Sequence, residues 1–270
     1  MKTGFIGGGN MAQALMGGLV AKSVPASFVV VEPNATTRDT VARVVRGATL
    51  IDEPTAALAD CDVVVLAVKP QQLRDAVGAA APWLRGPVVL SIAAGIRTAE
   101  IARWSGTTRI VRAMPNTPAL IGEGISGVYA TDAVDTKGRD LAETLLRAVG
   151  RVLWVGTEDM IDAVTAVSGS GPAYVFAFIE ALQRGARELG FDEDAARELA
   201  VTTFVGASRL AAQSEEPIAV LRERVTSKGG TTAAALAHLE ANACSTHIVE
   251  AIHAAAKRSV ELGGESGKEA

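Results

Sequence analysis

The sequence predicts an α/β fold: a doubly wound parallel sheet in the N-terminal half, followed by an all-α C-terminal half. Three observations carry this. Up to Val155, short apolar runs rich in β-branched residues alternate with helical stretches. The strongest run, Asp62-Val-Val-Val-Leu-Ala-Val68, is continuously apolar, as a strand covered on both faces must be. After Gly156 the strand pattern stops and every periodic segment reads helical.

Taken in order, strands are predicted at 3–7, 28–32, 48–51, 62–68, 87–92 and 108–113, with helices near 11–22, 36–46, 71–83 and 98–104 between them. This βαβ rhythm implies a parallel sheet with helices on both sides. A further strand pair follows at 125–130 and 151–155, joined by a helix at 137–149. The helical half reads as segments at 158–168, 172–189, 193–212, 217–224, 231–241 and 245–262. Pro172 and Pro217 suit first turns, where a missing N–H costs nothing. Gly190 suits a left-handed C-cap and Asp192 an N-cap. Residues 263–270 are small and polar and are expected to fray. Two domains are therefore expected, 1–157 and 158–270.

A chain of 270 residues accommodates two ordinary domains, and 49% apolar content is ample for their cores. With aromatics at 4%, those cores are aliphatic and alanine-rich. A net charge of −4 without a long basic run gives no electrostatic case for nucleic acid. No apolar run approaches the roughly 18–20 residues of a membrane span. The chain opens on a strand rather than on a signal-peptide pattern. The two cysteines, Cys61 and Cys244, lie far apart, which points away from a disulfide scaffold and toward a reduced, cytoplasmic setting. Each reads as a small buried hydrophobe.

Chemistry enters at Phe5-Ile-Gly-Gly-Gly-Asn-Met-Ala12, which fits strand, G-x-G-x-x-A, then helix. Gly7 permits a tight turn, Gly9 lets backbone N–H groups approach a pyrophosphate, and Ala12 lets the helix pack close. The helix N-terminus offers unpaired N–H groups and partial positive charge to the anion. This is the signature of a Rossmann-like dinucleotide site, with Gly7, Gly8, Gly9, Asn10 and Met11 as candidate contacts. Glu32 closes the next strand, where an acid meeting the adenosine ribose is expected. In open α/β sheets ligands lie beyond the C-terminal ends of strands. Ala67-Val68-Lys69-Pro70, the Ala93-Ala94 turn and Asn116, held between Pro115 and Pro118, are candidates on that ground.

In the helical half, Val225-Thr-Ser-Lys-Gly-Gly-Thr-Thr232 is the second anion-site candidate. Gly229 and Gly230 free the backbone to form a nest of N–H groups sized for a carboxylate, and the Ser227 and Thr232 hydroxyls add donors. A plain glycine turn with a threonine cap is the alternative. Ser168-Gly-Ser-Gly-Pro-Ala-Tyr174 breaks a helix, either as a packing kink or as a wall for substrate or nicotinamide. His238, His247 and His253 match no compact metal spacing, so no metal is expected. No Ser-His-Asp set appears; a hydride-donating cofactor brings its own chemistry.

These segments, with Ala67-Val-Lys-Pro70, Arg112-Ala-Met-Pro-Asn-Thr-Pro118 and Asp162-Ala-Val-Thr-Ala-Val-Ser-Gly-Ser-Gly-Pro-Ala-Tyr174, stand in an order and spacing that resembles the pyrroline-5-carboxylate reductase family over nearly the whole chain. The resemblance implies a Rossmann domain and a helical domain through which subunits interlock as homodimers, often assembled into decamers. It implies reduction of 1-pyrroline-5-carboxylate to L-proline by hydride transfer from NADPH, with NADH possible, the substrate lying between nicotinamide and the glycine-threonine loop. By resemblance, Ser227 and the backbone of Gly230 and Thr231 hold the carboxylate, Thr232 hydrogen-bonds the ring nitrogen as the catalytic residue, and Glu158 and Thr165 line the site. Two departures stand out. Lys228 occupies a position where proline is frequent, and Glu32 favours the free 2′-hydroxyl of NADH, although Asn34, Thr36, Thr37 and Arg38 follow at once as phosphate-holding candidates. Another imine reductase or a β-hydroxyacid dehydrogenase of the same architecture is the competing enzyme reading; the helix after Gly171 lacks the lysine the latter calls for. A nucleotide-sensing module without turnover has no use for the second anion loop.

Overall fold

The computed structural model describes residues 1–266. Its sheet contains β1 (Lys2–Ile6), β2 (Ser27–Val31), β3 (Thr49–Ile51), β4 (Val63–Leu66), β5 (Val88–Ser91), β6 (Ile110–Met114), β7 (Gly124–Ala130) and β8 (Gly150–Trp154). Between them run α1 (Asn10–Ala21), α2 (Ala35–Val44), α3 (Pro70–Ala80), α4 (Thr98–Ser105) and α5 (Thr136–Arg147). The strands lie in the order β3-β2-β1-β4-β5-β6-β7-β8. Strand order reverses beside β1, which pairs with β2 on one side and β4 on the other. That switch point opens the crevice in which doubly wound folds bind ligands.

The sheet is parallel except at one ladder. β7 runs antiparallel to β6, with Ala113 opposite Val128, and β8 is again parallel to β7. The purely parallel reading fails there because the link between β6 and β7 holds only a 3-10 turn at Thr117–Ile121, and a parallel crossover needs a dozen or more residues.

Alternation along the strands feeds two apolar layers. Phe5, Val30, Val65, Leu90 and Val111 point to the face covered by Leu15, Met16 and Leu19 of α1 and Leu145 and Leu146 of α5. Ile6, Val29, Val31, Val64, Leu66 and Val89 point to the face covered by Leu73 and Val77 of α3 and Ile101 of α4. Both faces need apolar side chains, which is why the strand sequences are continuous rather than alternating. Each fully buried aliphatic contributes about 1.5–3 kcal/mol.

The chain divides into two compact units, residues 1–170 with 255–270, and 171–254. The first therefore retains α6 (Met160–Val164) and a single π-turn at Thr165–Gly169, and receives the end of α11 (Cys244–Ser266). α11 continues through Ser266, with Leu262 and Gly263 beside the backbone of Gly95. Residues 267–270 lie outside the described residues.

The second unit is helical: α7 (Gly171–Glu188), α8 (Glu193–Gln213), α9 (Ile218–Arg224), α10 (Thr231–Ala241) and the first part of α11. Asp192 caps α8 by accepting from Ala195 N at 2.8 Å. Taken alone this unit covers little apolar surface. Among its described residues Ala196 and Ala200 are the fully buried hydrophobics, while Phe176 is 60% and Leu189 82% exposed. No described helix is long and apolar enough to cross a membrane.

Cys61, just before β4, is buried and its thiol donates to Ala57 O at 3.5 Å. Burial pushes the thiol from 9.0 to about 11, partly offset by Lys2. The folded chain thus keeps a proton that the unfolded chain releases, so this group's contribution is full below about 9 and is lost as pH rises toward about 11. Relative to Cys61→Ala, the wild-type chain should lose on the order of 1–2 kcal/mol of stability across that interval, read from urea midpoints. Identical alkaline profiles for the two proteins would contradict this.

Candidate functional site

The glycine loop leaves the end of β1 with Gly7 at φ +99°, a left-handed geometry that a side chain would strain. A Cβ there would also sit 2.8 Å from Ala67 O, so the loop lies directly against the end of β4. Gly7 N donates to Val31 O at 2.9 Å, Gly8 N to Glu32 Oε2 at 2.9 Å, and Gln13 Nε2 to Gly8 O at 2.8 Å. Gly9 is the N-cap of α1 and no side chain caps that end. Its first-turn N–H groups remain for an anion, beside exposed Asn10 and half-buried Met11.

A cavity of about 410 Å³ adjoins the loop, lined by Ile6, Gly7, Val31, Glu32, Pro33 and Val68 among others. The loop, the open helix end and this partly apolar cavity fit a dinucleotide. Of the neighbouring candidates, Ala67 N is tied to Ile6 O at 2.8 Å, Lys69 is an exposed N-cap, and Pro70 is the first residue of α3. Ala93 is buried and its N–H donates to Ser91 Oγ at 3.3 Å, while Ala94 is half-buried.

Asn116 is largely committed within the chain. Its Oδ1 accepts from Ile125 N at 2.9 Å and its Nδ2 donates to Ser168 O at 3.2 Å. The proline-stiffened loop is thereby fastened to β7 and to the π-turn, and one amide hydrogen remains for a ligand.

Glu158 and Thr165 belong to the first unit. Both Glu158 oxygens are engaged: Oε1 accepts from Thr98 N at 2.8 Å and lies 3.1 Å from Arg112 Nη1, while Oε2 accepts from Thr98 Oγ1 at 2.8 Å. The carboxylate thus sits at the positive end of α4. Thr165, opening the π-turn, donates its hydroxyl to Ile161 O at 2.7 Å.

Arg112 is the residue that sequence reasoning passed over. It lies in the middle of β6 and is 1% exposed. Its Nη2 is 3.8 Å from Asp162 Oδ1, and Asp162 also takes Arg97 Nη2 at 2.7 Å and Ser259 Oγ at 2.8 Å. Arg97 reaches Asp159 as well; burial works against its charge, but the carboxylates of Asp159, Asp162 and Glu158 outweigh it and raise its pKa. One signal was available: a charged residue inside Ile110-Val-Arg-Ala-Met114, an otherwise apolar strand.

In the second unit, Gly229 has φ +70° and Gly230 is the N-cap of α10, which has no side-chain cap. Gly230 N donates to Ser227 O at 3.0 Å, and a Cβ at Gly230 would run into Ser227 Oγ. Ser227 and Thr231 are exposed, Thr232 is half-buried, and exposed Lys228 stands in the same turn. This is an open helix N-terminus with hydroxyls beside it, chemically matched to a small carboxylate.

A family model described as pyrroline-5-carboxylate reductase dimerisation matches residues 158–262, and one described as NADP oxidoreductase, coenzyme F420-dependent, matches residues 2–95. The pyrroline-5-carboxylate reductase of Pseudomonas aeruginosa is 44% identical over 267 residues, 98% of this chain and 97% of that one. A solved pyrroline-5-carboxylate reductase from Coxiella burnetii has a TM-score of 0.90 at 38% identity, covering 96% of this chain and 97% of that one. The crystal structure of Plasmodium falciparum pyrroline carboxylate reductase with NADP bound has a TM-score of 0.83 at 27% identity, covering 97% and 98% respectively. Fold and glycine loop define the class, a Rossmann-type NAD(P)-dependent oxidoreductase with a helical dimerisation segment. Within that class full-length identity decides: the chain belongs to the pyrroline-5-carboxylate reductase family.

Removing the buried cation takes the paired arginine from Glu158 and leaves Asp162 with Arg97 as its remaining cation. Arg112→Met should cost about 3–5 kcal/mol, and adding Asp162→Asn should recover part of it. Denaturant titration reads both; an Arg112→Met chain within about 1 kcal/mol of wild type would show that the network contributes little.

Proposed function

We propose that this chain reduces 1-pyrroline-5-carboxylate to L-proline, the last step of proline synthesis, with NAD(P)H as hydride donor. The observation that carries the reading is the pairing, in one chain of this family, of two helix N-termini that no side chain caps, at Gly9 and Gly230. In this reading the backbone of Gly7, Gly8, Gly9, Asn10 and Met11 holds the pyrophosphate, with Ala67, Val68, Lys69, Pro70, Ala93, Ala94 and the remaining amide hydrogen of Asn116 along the rest of the dinucleotide. A bound NAD(P)H supplies the hydride.

The chain's own residues bind, orient and polarise. Ser227 Oγ and the N–H groups of Gly230 and Thr231 take the substrate carboxylate, fixing the ring. Thr232 Oγ donates to the imine nitrogen, which makes C5 more electrophilic. As C5 accepts the hydride, the C=N π pair becomes a lone pair on nitrogen, which takes up one proton from solvent at the position where Thr232 Oγ donates, giving the amine. Glu158, held by Thr98 and Arg112, and Thr165, held by Ile161, are wall residues of fixed position. The dimerisation segment supports at least a homodimer; a decamer built from such dimers is the larger assembly in this reading. The unpaired Cys61 and Cys244 are consistent with a cytoplasmic setting.

Two outcomes follow. Thr232→Ala should lower kcat roughly 10–1000-fold, because a positioned donor in a desolvated site contributes about 1.5–4 kcal/mol, while NAD(P)H affinity barely changes. Thr232→Ser should recover much of it and Thr231→Ala should do less harm; near-normal kcat in Thr232→Ala would remove the role assigned to this hydroxyl. Light scattering at micromolar concentration should return a dimer or larger particle, since the dimerisation segment leaves Phe176, Phe178, Leu182 and Leu189 among its exposed hydrophobics. A monomer would contradict that.

A further inference from the structure

Either nicotinamide dinucleotide fits the glycine loop; the adenosine end separates them. The two forms differ at one point, the ribose 2′ position, which carries a hydroxyl in NADH and a phosphate in NADPH. The cavity of about 410 Å³ beyond Gly7 is where that end lies if the loop holds the pyrophosphate. Its charged lining consists of Glu32, Asp52 and Asp75, and no lysine or arginine among the described residues lines it.

Glu32 is the inner acid of the three, half-buried, and it is not free to turn away. Oε2 accepts from Gly8 N at 2.9 Å and Oε1 from Asn34 N at 2.9 Å. Swinging the side chain aside for a phosphate would strip both N–H groups of their acceptor. A 2′-hydroxyl asks for no such movement, because it can donate to a carboxylate that already accepts two bonds.

Two of the groups that follow β2, Asn34 and Arg38, are engaged in the turn itself. Arg38 Nη1 donates to Glu32 O at 2.6 Å and to Pro33 O at 2.9 Å. Asn34 Oδ1 accepts from Thr37 N at 3.0 Å and so serves as the α2 cap. A phosphate carrying roughly −1.5 to −2 charge would thus enter a cavity with one fixed carboxylate inside and two exposed ones around it.

We infer that this adenosine pocket discriminates against the 2′-phosphate, so that the chain binds NADH more tightly than NADPH, with Glu32 as the determinant and Asp52 and Asp75 as a smaller, salt-screened contribution. The inference rests on the dinucleotide reading of the glycine loop and is independent of which imine is reduced.

The test is equilibrium binding of NADH and NADPH to the full chain, by calorimetry and without substrate, so that its outcome is separate from any turnover. NADH should bind at least about tenfold more tightly. Glu32→Gln, of unchanged size, should narrow the ratio about tenfold, mostly by improving NADPH. Asp52→Asn with Asp75→Asn, both exposed and safe for folding, should narrow it about two- to threefold at low salt and not at high salt. Arg38→Ala should weaken the two cofactors alike. Tighter binding of NADPH by the wild-type chain would overturn the inference. So would a selective loss of NADPH affinity in Arg38→Ala, which would make Arg38 a phosphate ligand, or an unchanged ratio in Glu32→Gln.

Discussion

A guanidinium buried in the middle of a covered strand is the constraint around which the first unit is arranged. Arg112 cannot reach water, and burying an unpaired charge costs several kcal/mol, so carboxylates must come to it. Glu158 and Asp162 do so, and each then accepts a further donor: the start of α4 through Thr98, and the end of α11 through Ser259. One charge in β6 thereby ties together β6, α4, α6 and the last turns of α11. The chain beyond residue 254 returns to the first unit because Asp162 and the Gly95 turn give it partners there.

The same economy appears at the two candidate binding loops. Helices α2, α5 and α8 end their N-termini on a side chain: Asn34, Asp135 and Asp192 respectively. Those beginning at Asn10 and Thr231 follow glycine and have no such cap. Glycine at these positions gives up only about a few tenths of a kcal/mol relative to a capping side chain and leaves N–H groups for an outside anion. In the proposed reading the ligand meets groups that the chain leaves unsatisfied, the two glycine-led helix ends and one amide hydrogen of Asn116, whereas Glu158 and Thr165 are engaged internally.

How much of this the sequence disclosed follows from the range of the interactions. Strand and helix identities, the caps at Asp192 and Gly190 and both glycine loops are local, and β-branching, φ preference and spacing reveal them. The reversal of β7 is a matter of loop length, legible only once the 3-10 turn is seen to be too short for a crossover. The partners of Arg112 and Asp162 are 46 to 97 residues away, beyond any pattern, although an arginine inside an apolar strand demanded some partner. Asn116 stands out in the sequence as a cofactor-contact candidate on a proline-stiffened loop, but its fastening to Ile125 and Ser168 is tertiary. The helix continues through Ser266 despite its small, polar composition, and the contact of Leu262 and Gly263 with Gly95 is tertiary and equally outside local pattern.

The central claim is that the α10 loop recognises the carboxylate of a cyclic imine while a nicotinamide dinucleotide reduces it. The most direct test compares kcat/KM for 1-pyrroline-5-carboxylate with that for 1-pyrroline, the same ring without the carboxylate, following loss of reduced nicotinamide absorbance. The account predicts proline formation stoichiometric with cofactor oxidation, and a fall of at least about a hundredfold for 1-pyrroline, since losing a charged hydrogen-bonded group costs about 3 kcal/mol or more. Equal turnover of the two imines, or none of the carboxylate form, would contradict it.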